Sequence, residues 1–195
     1  AAPTGIARLR EPAPVGYGAR PVSVWTVVVA AGDGRRFGSD KSVADLGGRP
    51  VVAHSVATAS GVSGGVVVVV APGRIAEVRP LLVGVDGAVE VVEGGDTRSA
   101  SVRAGLAAVP DGAEIVLVHD GARPLASIRL FERVIDAVRD GADAVVPCTP
   151  VHDSLRSPVG GPIDRDNVLV VQTPQGFRAS VLRAAHAGSA EATDD

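Results

Sequence analysis

Short apolar runs rich in β-branched residues recur along the chain, separated by segments in which apolar residues repeat at helical spacing. The runs lack the polar alternation of a half-exposed strand, and such runs are typical of parallel strands covered on both faces of their sheet. We therefore expect an α/β fold in which a mostly parallel sheet lies between two layers of helices. The predicted strands span residues 24–30, 66–71, 88–92, 114–119, 144–147 and 168–171.

Apolar spacing and capping signals place helices between these strands. Pro50 suits the first turn of one helix, and Ser127 suits the N-cap of another that runs to Arg139. The polar stretches that remain are predicted to be a turn at 172–177 and an irregular segment at 150–166. The predicted helices span residues 51–59, 74–82, 100–109, 127–139 and 179–187.

The composition is that of one globular domain. With 195 residues and 46% apolar content, the chain can bury about 70% of the surface that its unfolded form exposes. Residues 1–21 are rich in proline, glycine and arginine, and we expect an N-terminal extension of low intrinsic order there. The domain itself is assigned to residues 22–195.

Charge and residue usage argue against several classes of partner. A net charge of −3 provides no basic field for nucleic acid or anionic lipid, and an aromatic content of 3% argues against base-stacking platforms. The apolar runs are shorter than the roughly 18 residues of a membrane helix, so no membrane contact is expected. The single cysteine, Cys148, excludes an intrachain disulfide and fits a cytoplasmic protein.

The first predicted strand runs directly into a loop rich in glycine and cations, Ala30-Ala31-Gly32-Asp33-Gly34-Arg35-Arg36. Glycines let a backbone approach a phosphate chain closely, and their N–H groups can turn toward the anion. Arg35, Arg36 and Lys41 supply the countercharge. We therefore interpret this stretch as a triphosphate-binding loop.

Two common glycine motifs do not fit this loop. A Walker loop requires glycine before its Lys-Ser pair, but Asp40 precedes Lys41 here. The dinucleotide fingerprint requires Gly-x-Gly-x-x-Gly, but Gly32, Gly34 and Gly38 are spaced one residue too widely. A dinucleotide-dependent dehydrogenase is therefore disfavoured.

Polar clusters follow three of the predicted strands. The first is the loop just described, the second is Gly94-Gly95-Asp96, and the third is Asp120-Gly121-Ala122-Arg123. Ligands of parallel sheets bind beyond the carboxyl ends of the strands, and these clusters all lie at such ends. The sequence therefore predicts a single site at one edge of the sheet.

Four motifs resemble those of known nucleotidyltransferases. Ala30-Ala31-Gly32-x-Gly34-x-Arg36 with a following lysine resembles their general signature. Three more, in their order and separations, resemble the 2-C-methyl-D-erythritol 4-phosphate cytidylyltransferases: Gly94-Gly95-Asp96-Thr97-Arg98-Ser99-Ala100-Ser101-Val102 with Gly105-Leu106, Val118-His119-Asp120-Gly121-Ala122-Arg123-Pro124, and Gln172-Thr173-Pro174-Gln175-Gly176-Phe177. The resemblance covers the chain from about Val24 to its end. It implies a Rossmann-like three-layer fold and transfer of CMP from CTP to 2-C-methyl-D-erythritol 4-phosphate, with release of pyrophosphate, in the non-mevalonate isoprenoid precursor pathway.

The resemblance also implies roles for particular residues. Arg36 and Lys41 correspond to the pair that stabilises the charged transition state, and Arg165 corresponds to the arginine that positions the attacking phosphate. The residues that correspond to CTP contacts are Ala30, Ala31, Gly32, Gly34, Gly94, Gly95, Asp96, Ser101 and Gly121.

An acceptor site, a metal ion and a partner subunit follow from the same resemblance. Asp120 and Arg123 correspond to residues that hold the polyol phosphate, and Ser154 stands where the family usually has threonine. Mg²⁺ is expected to bind mainly through the CTP phosphates, with no protein metal site. In the family, an arm at about 150–167 crosses to a second subunit, so we expect a homodimer.

The sequence departs from the family pattern in two places. The family usually has proline before the lysine, whereas Asp40-Lys41 resembles the loop of molybdenum-cofactor guanylyl- and cytidylyltransferases. The family also continues with a strand and a helix that carry a second positioning lysine, for which the sequence to Asp195 has no counterpart. The alternatives are a ribitol-phosphate or molybdenum-cofactor type cytidylyltransferase, or a nucleotide-binding module without turnover.

Purely structural roles are open for several of the same residues. Asp120 and Arg123 are close enough in sequence for a local ion pair, and Asp96 precedes a predicted helix that it could cap. Arg165 is flanked by two aspartates and could form a salt bridge with them. His119 is predicted to be structural.

Overall fold

The computed structural model of the protein describes residues 23–32 and 41–188, and these ranges hold twelve strands and five α-helices. The strands are β1 (Val24–Ala30), β2 (Asp45–Leu46), β3 (Arg49–Pro50), β4 (Gly65–Val70), β5 (Ala88–Glu93), β6 (Ile115–Asp120), β7 (Ala144–Val145), β8 (Cys148–Pro150), β9 (Leu155–Arg156), β10 (Pro162–Ile163), β11 (Leu169–Val171) and β12 (Gln175–Arg178). The helices are α1 (Val51–Val62), α2 (Ile75–Val78), α3 (Arg98–Ala108), α4 (Ile128–Arg139) and α5 (Ala179–His186). The predicted extension at residues 1–21 lies outside the described residues.

Six of the strands form one sheet in the order β5-β4-β1-β6-β12-β7. The strands β5, β4, β1 and β6 are mutually parallel, and β12 runs antiparallel to both of its neighbours. This arrangement confirms the predicted α/β fold with a mostly parallel sheet. The chain moves outward from β1 to β5 and then returns to place β6 on the other side of β1. The strand order therefore reverses beside β1, and open α/β sheets bind their ligands at such a reversal.

Helices cover both faces of the sheet, as the uniformly apolar strands require. On one face, Val56 of α1 and Phe131 of α4 belong to one buried cluster with strand residues. On the other face, Leu106 of α3 and Leu182 of α5 belong to a second cluster. All six residues of β4 are buried between the two layers. Within the described ranges, no helix has both the length and the apolar character needed to cross a lipid bilayer.

The predicted helices at 51–59 and 74–82 differ most from their observed extents. α1 continues to Val62 instead of ending at residue 59, because a glycine at position 61 fits its helix and buried Val62 extends the packed face. The predicted helix at 74–82 consists of α2 followed by a 3₁₀ turn, Arg79–Leu82. Pro80 has no N–H for an α-helical hydrogen bond, so a tighter turn replaces the helix there.

The predicted turn at 172–177 is wrong for its second half, because Gln175–Arg178 forms strand β12 inside the sheet. Gly176 resembles a turn residue, but its position requires close packing. A Cβ there would overlap Val134 Cγ1 and lie 3.2 Å from Leu117 Cδ2. Tertiary packing therefore overrides the local turn signal.

The segment predicted to be irregular at 150–166 lies in an arm of short antiparallel strand pairs, residues 148–171. β8 pairs with β11 and β9 pairs with β10, so the predicted strand at 168–171 belongs to the arm and not to the sheet. The predicted strand at 144–147 contributes only the two residues of β7 to the sheet. All residues of β8 and β11 are exposed, so within one chain the arm is not part of the core.

Candidate active site

Two loops are attached to the strand ends on either side of β1. The N–H of Gly94, just after β5, donates to the carbonyl of Val70 at 2.7 Å. The N–H of Gly121, just after β6, donates to the carbonyl of Val29 at 2.8 Å. The end of β1 lies between the two loops, because β1 separates β4 from β6. The clusters expected at one sheet edge are therefore neighbours, as far as the structure describes them.

The Gly94 loop is packed tightly against residues that were also assigned to CTP. A Cβ on Gly94 would lie 2.6 Å from Ser101 Oγ and 3.1 Å from Ala31 Cβ. The Ser101 hydroxyl in turn donates to the carbonyl of Gly95 at 3.2 Å. Position 94 therefore requires glycine for lack of space, and four of the assigned residues form one contact group.

Helix α3 begins at this loop, and its N-cap is Thr97. The Thr97 side chain accepts a hydrogen bond from the N–H of Ala100 at 3.1 Å, as N-cap residues do. The capping role considered for Asp96 is therefore wrong. The Asp96 side chain is exposed beside the glycine loop.

Gly121 joins the third cluster to β1. A Cβ on Gly121 would lie 3.0 Å from Ala30 Cβ and 3.2 Å from the carbonyl oxygen of Val29. Its own carbonyl accepts a hydrogen bond from the buried Ser55 hydroxyl at 2.9 Å. The turn that follows β6 is thus held from both sides, which places Asp120 and Arg123 beside the end of β1.

Asp120 binds two guanidinium groups with different oxygens. Arg123 Nε donates to Oδ2 at 2.9 Å, so the ion pair considered from sequence is present. Arg98 Nη2 lies 3.4 Å from Oδ1. Arg123 also donates through Nη1 to Gln172 Oε1 at 2.5 Å. All three charged side chains are partly exposed, so they can reach a ligand at the sheet edge.

Arg98 was quoted in the sequence motif but was assigned no role. It is the first residue of α3, so it lies at the N-terminal end of that helix, next to the Gly94 loop. A signal was present in the sequence. Arg98 is a cation two residues after Asp96, where a helix is predicted to begin at the sheet edge, so it lies within reach of a carboxylate on a neighbouring strand end. Without the order of the strands, nothing indicated that Asp120 was that carboxylate.

His119 lies beneath this group and is fully buried. Its Nδ1 is 3.0 Å from Thr173 Oγ1, and its ring centroid lies 5.0 Å from that of Phe131. Burial lowers the pKa of His119 to about 4, although the nearby charge of Asp120 opposes the shift. The ring is therefore neutral near pH 7, and its burial agrees with the predicted structural role.

Two arm residues, Ser154 and Arg165, remain predictions as site residues. Both are exposed, and Arg165 Nη1 donates to the carbonyl of His152 at 2.8 Å. Asp164 accepts hydrogen bonds from the Asp166 N–H and the Asn167 side chain, and no ion pair with Arg165 occurs among the described residues. In the same ranges, no hydrogen bond or ion pair links either residue to the group around Asp120.

Part of the triphosphate loop lies outside the described residues, including Gly34 and Arg36. Ala30, Ala31 and Gly32 are described and lie at or just beyond the end of β1. Lys41 is exposed and opens a 3₁₀ turn, Lys41–Val43, that packs against α1. The catalytic roles of Arg36 and Lys41 stay predictions.

The family assignment rests on sequence comparison. The sequence model of the family described as IspD, 2-C-methyl-D-erythritol 4-phosphate cytidylyltransferase, matches residues 24–195. The protein of that name from Nocardia farcinica is 44% identical over 182 residues, which cover 89% of this chain and 78% of the relative. A bifunctional enzyme IspD/IspF from Clavibacter michiganensis is 45% identical over 183 residues, and this chain spans 45% of its length.

Comparison with solved structures points to the same family. The crystal structure of 2-C-methyl-D-erythritol 4-phosphate cytidylyltransferase from Thermus thermophilus aligns with a TM-score of 0.71 and 35% identity, covering 89% of this chain and 80% of that one. Since the family model covers most of the sequence and relatives match at more than 40% identity, this chain belongs to the IspD family of 2-C-methyl-D-erythritol 4-phosphate cytidylyltransferases.

Proposed function

We propose that this chain transfers CMP from CTP to 2-C-methyl-D-erythritol 4-phosphate and releases pyrophosphate, in the non-mevalonate isoprenoid precursor pathway. Family membership supports this function. The observation that carries it is the arrangement beside β1, where a narrow glycine loop lies on one side and a carboxylate between two guanidinium groups lies on the other. One part suits a nucleotide and the other suits an anionic polyol.

The nucleotide binds along the end of β1 and the Gly94 loop. We assign the triphosphate to the backbone N–H groups of Ala31 and Gly32, where the absence of large side chains lets phosphates approach. Asp96 and Ser101 offer a carboxylate and a hydroxyl to the cytosine and the ribose. The crowding at position 94 leaves no room for a side chain in this loop.

The acceptor binds beside Asp120. Its hydroxyl groups donate to the carboxylate, and its phosphate is attracted by the guanidinium groups of Arg98 and Arg123. These two cations lie on opposite oxygens of the same carboxylate, so their separation is set before the acceptor arrives. Such preorganisation lowers the entropy cost of placing the acceptor for attack.

The reaction requires no general base. A phosphate monoester is largely dianionic near pH 7, because its second pKa is about 6. One of its oxygens attacks the α-phosphorus of CTP, a new P–O bond forms, and the bond to the β-phosphate oxygen breaks with its electron pair leaving on pyrophosphate. The task of the protein is to align two anions and to offset their repulsion, which we assign to Arg36 and Lys41 in the transition state.

Mg²⁺ is proposed to enter with CTP. No group of three or more acidic, histidine or cysteine side chains in residues 23–32 and 41–188 is arranged to hold a metal ion. We expect the ligands of this ion to be mainly phosphate oxygens and water. When bound, the ion neutralises charge on the triphosphate.

We also propose a homodimer in which the arm of each subunit completes the site of the other. The exposed side chains of Leu169 and Val170, each 44% accessible, support an interface there. Arg165 lies on the same arm and has no ionic partner among the described residues. An exposed free thiol at Cys148 supports a cytoplasmic location.

Mixed dimers test whether the arm acts on the partner. Arg36→Ala and Arg165→Ala are each expected to inactivate every site of their own homodimer. Mixing the two after dissociation should restore about a quarter of the wild-type sites, because half of the dimers are mixed and each has one intact site. No recovery, with dimers present by sedimentation, would place both residues in the same subunit's site.

The identity of the acceptor is tested by measuring pyrophosphate release from CTP in the presence of Mg²⁺. We expect a higher kcat/KM with methylerythritol phosphate than with ribitol phosphate. Preference for ribitol phosphate would support a ribitol-phosphate cytidylyltransferase. If neither acceptor leads to pyrophosphate release although the protein binds CTP, the result would support a binding module without turnover.

A further inference from the structure

Helix α1 carries three hydroxyl side chains, and one of them bonds the turn that follows β6. The Thr58 hydroxyl donates to the carbonyl of His54 at 3.2 Å, four residues back in the same helix, as helical hydroxyls commonly do. The buried Ser60 hydroxyl has no hydrogen-bond partner in the part of the chain that the structure describes. The Ser55 hydroxyl donates instead to the carbonyl of Gly121 at 2.9 Å, across 66 residues of sequence. Ser55 therefore connects α1 to the predicted site.

The Gly121 carbonyl requires a donor where it lies. Gly121 is buried, and a buried carbonyl without a hydrogen bond is costly. Ser55 is 1% exposed, so its hydroxyl meets this carbonyl away from water. Serine favours an α-helix less than alanine does, so a serine here gives up some helix propensity. The bond to Gly121 accounts for a serine at this position of α1.

The bond from Ser55 adds to contacts that hold the same turn from β1. The N–H of Gly121 donates to the carbonyl of Val29 at 2.8 Å, so Gly121 is fixed through both its amide and its carbonyl. The N–H of Arg123 donates to the carbonyl of Asp120 at 3.0 Å, which closes the turn around Gly121. The ion-paired side chains of Asp120 and Arg123 flank this fixed point, so a shift of Gly121 displaces both.

We propose that Ser55 is a positioning residue for the acceptor site, because its hydroxyl fixes the Gly121 carbonyl and thereby the placement of Asp120 and Arg123. Its burial means that it acts on a ligand only through this turn. The kinetic consequences rest on the proposed function, whereas the hold on the turn is a property of the fold. Apart from Gly121, the residues assigned to CTP lie outside this turn, so Ser55 affects the acceptor more than the nucleotide.

Ser55→Ala removes the hydroxyl and keeps the helix, because alanine is the strongest helix former. We expect the KM for the acceptor to rise about tenfold, the effect of losing one hydrogen bond, and the KM for CTP to rise less than about threefold. A loss of folded protein alone would lower kcat and leave both KM values unchanged, so the KM values separate positioning from destabilisation.

Ser60→Ala is the matched control for this variant. It removes a second buried serine hydroxyl from α1, one that is 3% exposed and bonds nothing in the described part of the chain. Both KM values should therefore stay close to those of the wild type. Equal acceptor KM values in Ser55→Ala and Ser60→Ala would overturn the proposal.

Asp120→Asn tests whether Ser55 acts through the turn. Asparagine keeps the shape of the side chain but removes the charge that pairs with Arg98 and Arg123. The acceptor KM should then rise and depend less on where the turn lies. Adding Ser55→Ala to Asp120→Asn should therefore raise the acceptor KM by a smaller factor than Ser55→Ala does alone. Equal factors in both backgrounds would show that Ser55 acts by another route and would reject the proposal.

Amide exchange measured by NMR gives a readout that needs no activity. In Ser55→Ala, the amides of Gly121 and Arg123 should exchange about tenfold faster than in the wild type, whereas in Ser60→Ala they should not change. Unchanged amides in folded Ser55→Ala would overturn the proposal even if the wild type is an active cytidylyltransferase. Faster amides in a protein that lacks transferase activity would support the hold on the turn and reject only the proposed reaction.

Discussion

The Asp120 carboxylate pairs with two arginines, Arg98 and Arg123, through one oxygen each. The group as a whole carries a net positive charge, which favours an anionic acceptor without leaving the guanidinium groups to repel one another. Partly exposed ion pairs contribute little to stability, so we expect this arrangement to serve ligand binding more than folding. Both the charge of the group around Asp120 and its position beside the end of β1 are those expected of the predicted acceptor site.

The side chain of Arg36 is expected to act mainly in the transition state. Arg36→Ala should lower kcat by about 10²- to 10³-fold, by analogy with the loss of one oxyanion donor, and should leave the melting temperature near that of the wild type. Steady-state kinetics with saturating acceptor measures this. A near-normal kcat with a raised KM for CTP would show that the loop binds only ground-state phosphate.

Position 94 is predicted to tolerate no side chain. In Gly94→Ala, the new Cβ meets Ser101 Oγ at 2.6 Å and Val69 Cγ1 at 2.9 Å, so the loop must move. We expect a loss of about 1–3 kcal/mol in the free energy of unfolding and a raised KM for CTP. Gly112→Ala is the control, because nothing lies within 4 Å of its Cβ position. Equal kinetics for both variants would contradict the role of this loop.

At the scale of elements, the site depends on the short strand β12 and on the two residues that precede it. The chain enters β12 through Gln172 and Thr173 directly from β11, so one short segment connects the arm to the turn after β6. β12 then separates β6 from β7 in the sheet. An element of four residues thus links the exposed arm, the turn after β6 and the core.

The packing of β12 is predicted to depend on Gly176. Gly176→Ala places a methyl group against Val134 and 3.3 Å from Val138 Cγ2, both on α4. Overpacking of this kind should cost about 1–3 kcal/mol in urea denaturation. Gly61→Ala in α1, whose Cβ would lie 3.7 Å from Ile128 Cδ1, should be neutral or slightly stabilising. A neutral Gly176→Ala would mean that α4 can shift away from the sheet.

The stability of the whole molecule is expected to depend on pH through His119. Its pKa is lowered from 6.5 to about 4, first by burial, while the charge of Asp120 opposes the shift and that of Arg123 adds to it. Above pH 6.5 the ring is neutral in both the folded and the unfolded states, and its contribution is fully present. As the pH falls from 6.5 to 4, the unfolded chain takes up a proton that the folded ring refuses, so stability is lost.

The expected loss from this one ring is about 3 kcal/mol between those pH values. Urea denaturation of the wild type and His119→Asn as a function of pH measures it, because only the wild type carries the buried ring. The difference in unfolding free energy between the two should shrink as the pH falls. A difference independent of pH would show that the buried ring takes up its proton without cost.

The sequence alone determined the class of fold and predicted a candidate site at one edge of the sheet. Uninterrupted apolar runs require burial on both faces, so they indicated a covered, mostly parallel sheet. The glycine loops and the Asp120 turn followed predicted strands, so one shared edge could be inferred. These are local signals, because each depends only on the type and spacing of residues that are close in sequence.

Only the tertiary structure decided which residues pair across that edge and where the second half of the chain lies. Gly176 and Gln175 looked like a turn, because nothing local reveals that α4 lies against the strand or that Gln175 is buried. Arg98 and Thr173 likewise reach Asp120 from distant parts of the sequence, Thr173 across 53 residues. Such contacts depend on the order of strands and on close packing, which the hydrophobic pattern along the chain does not encode.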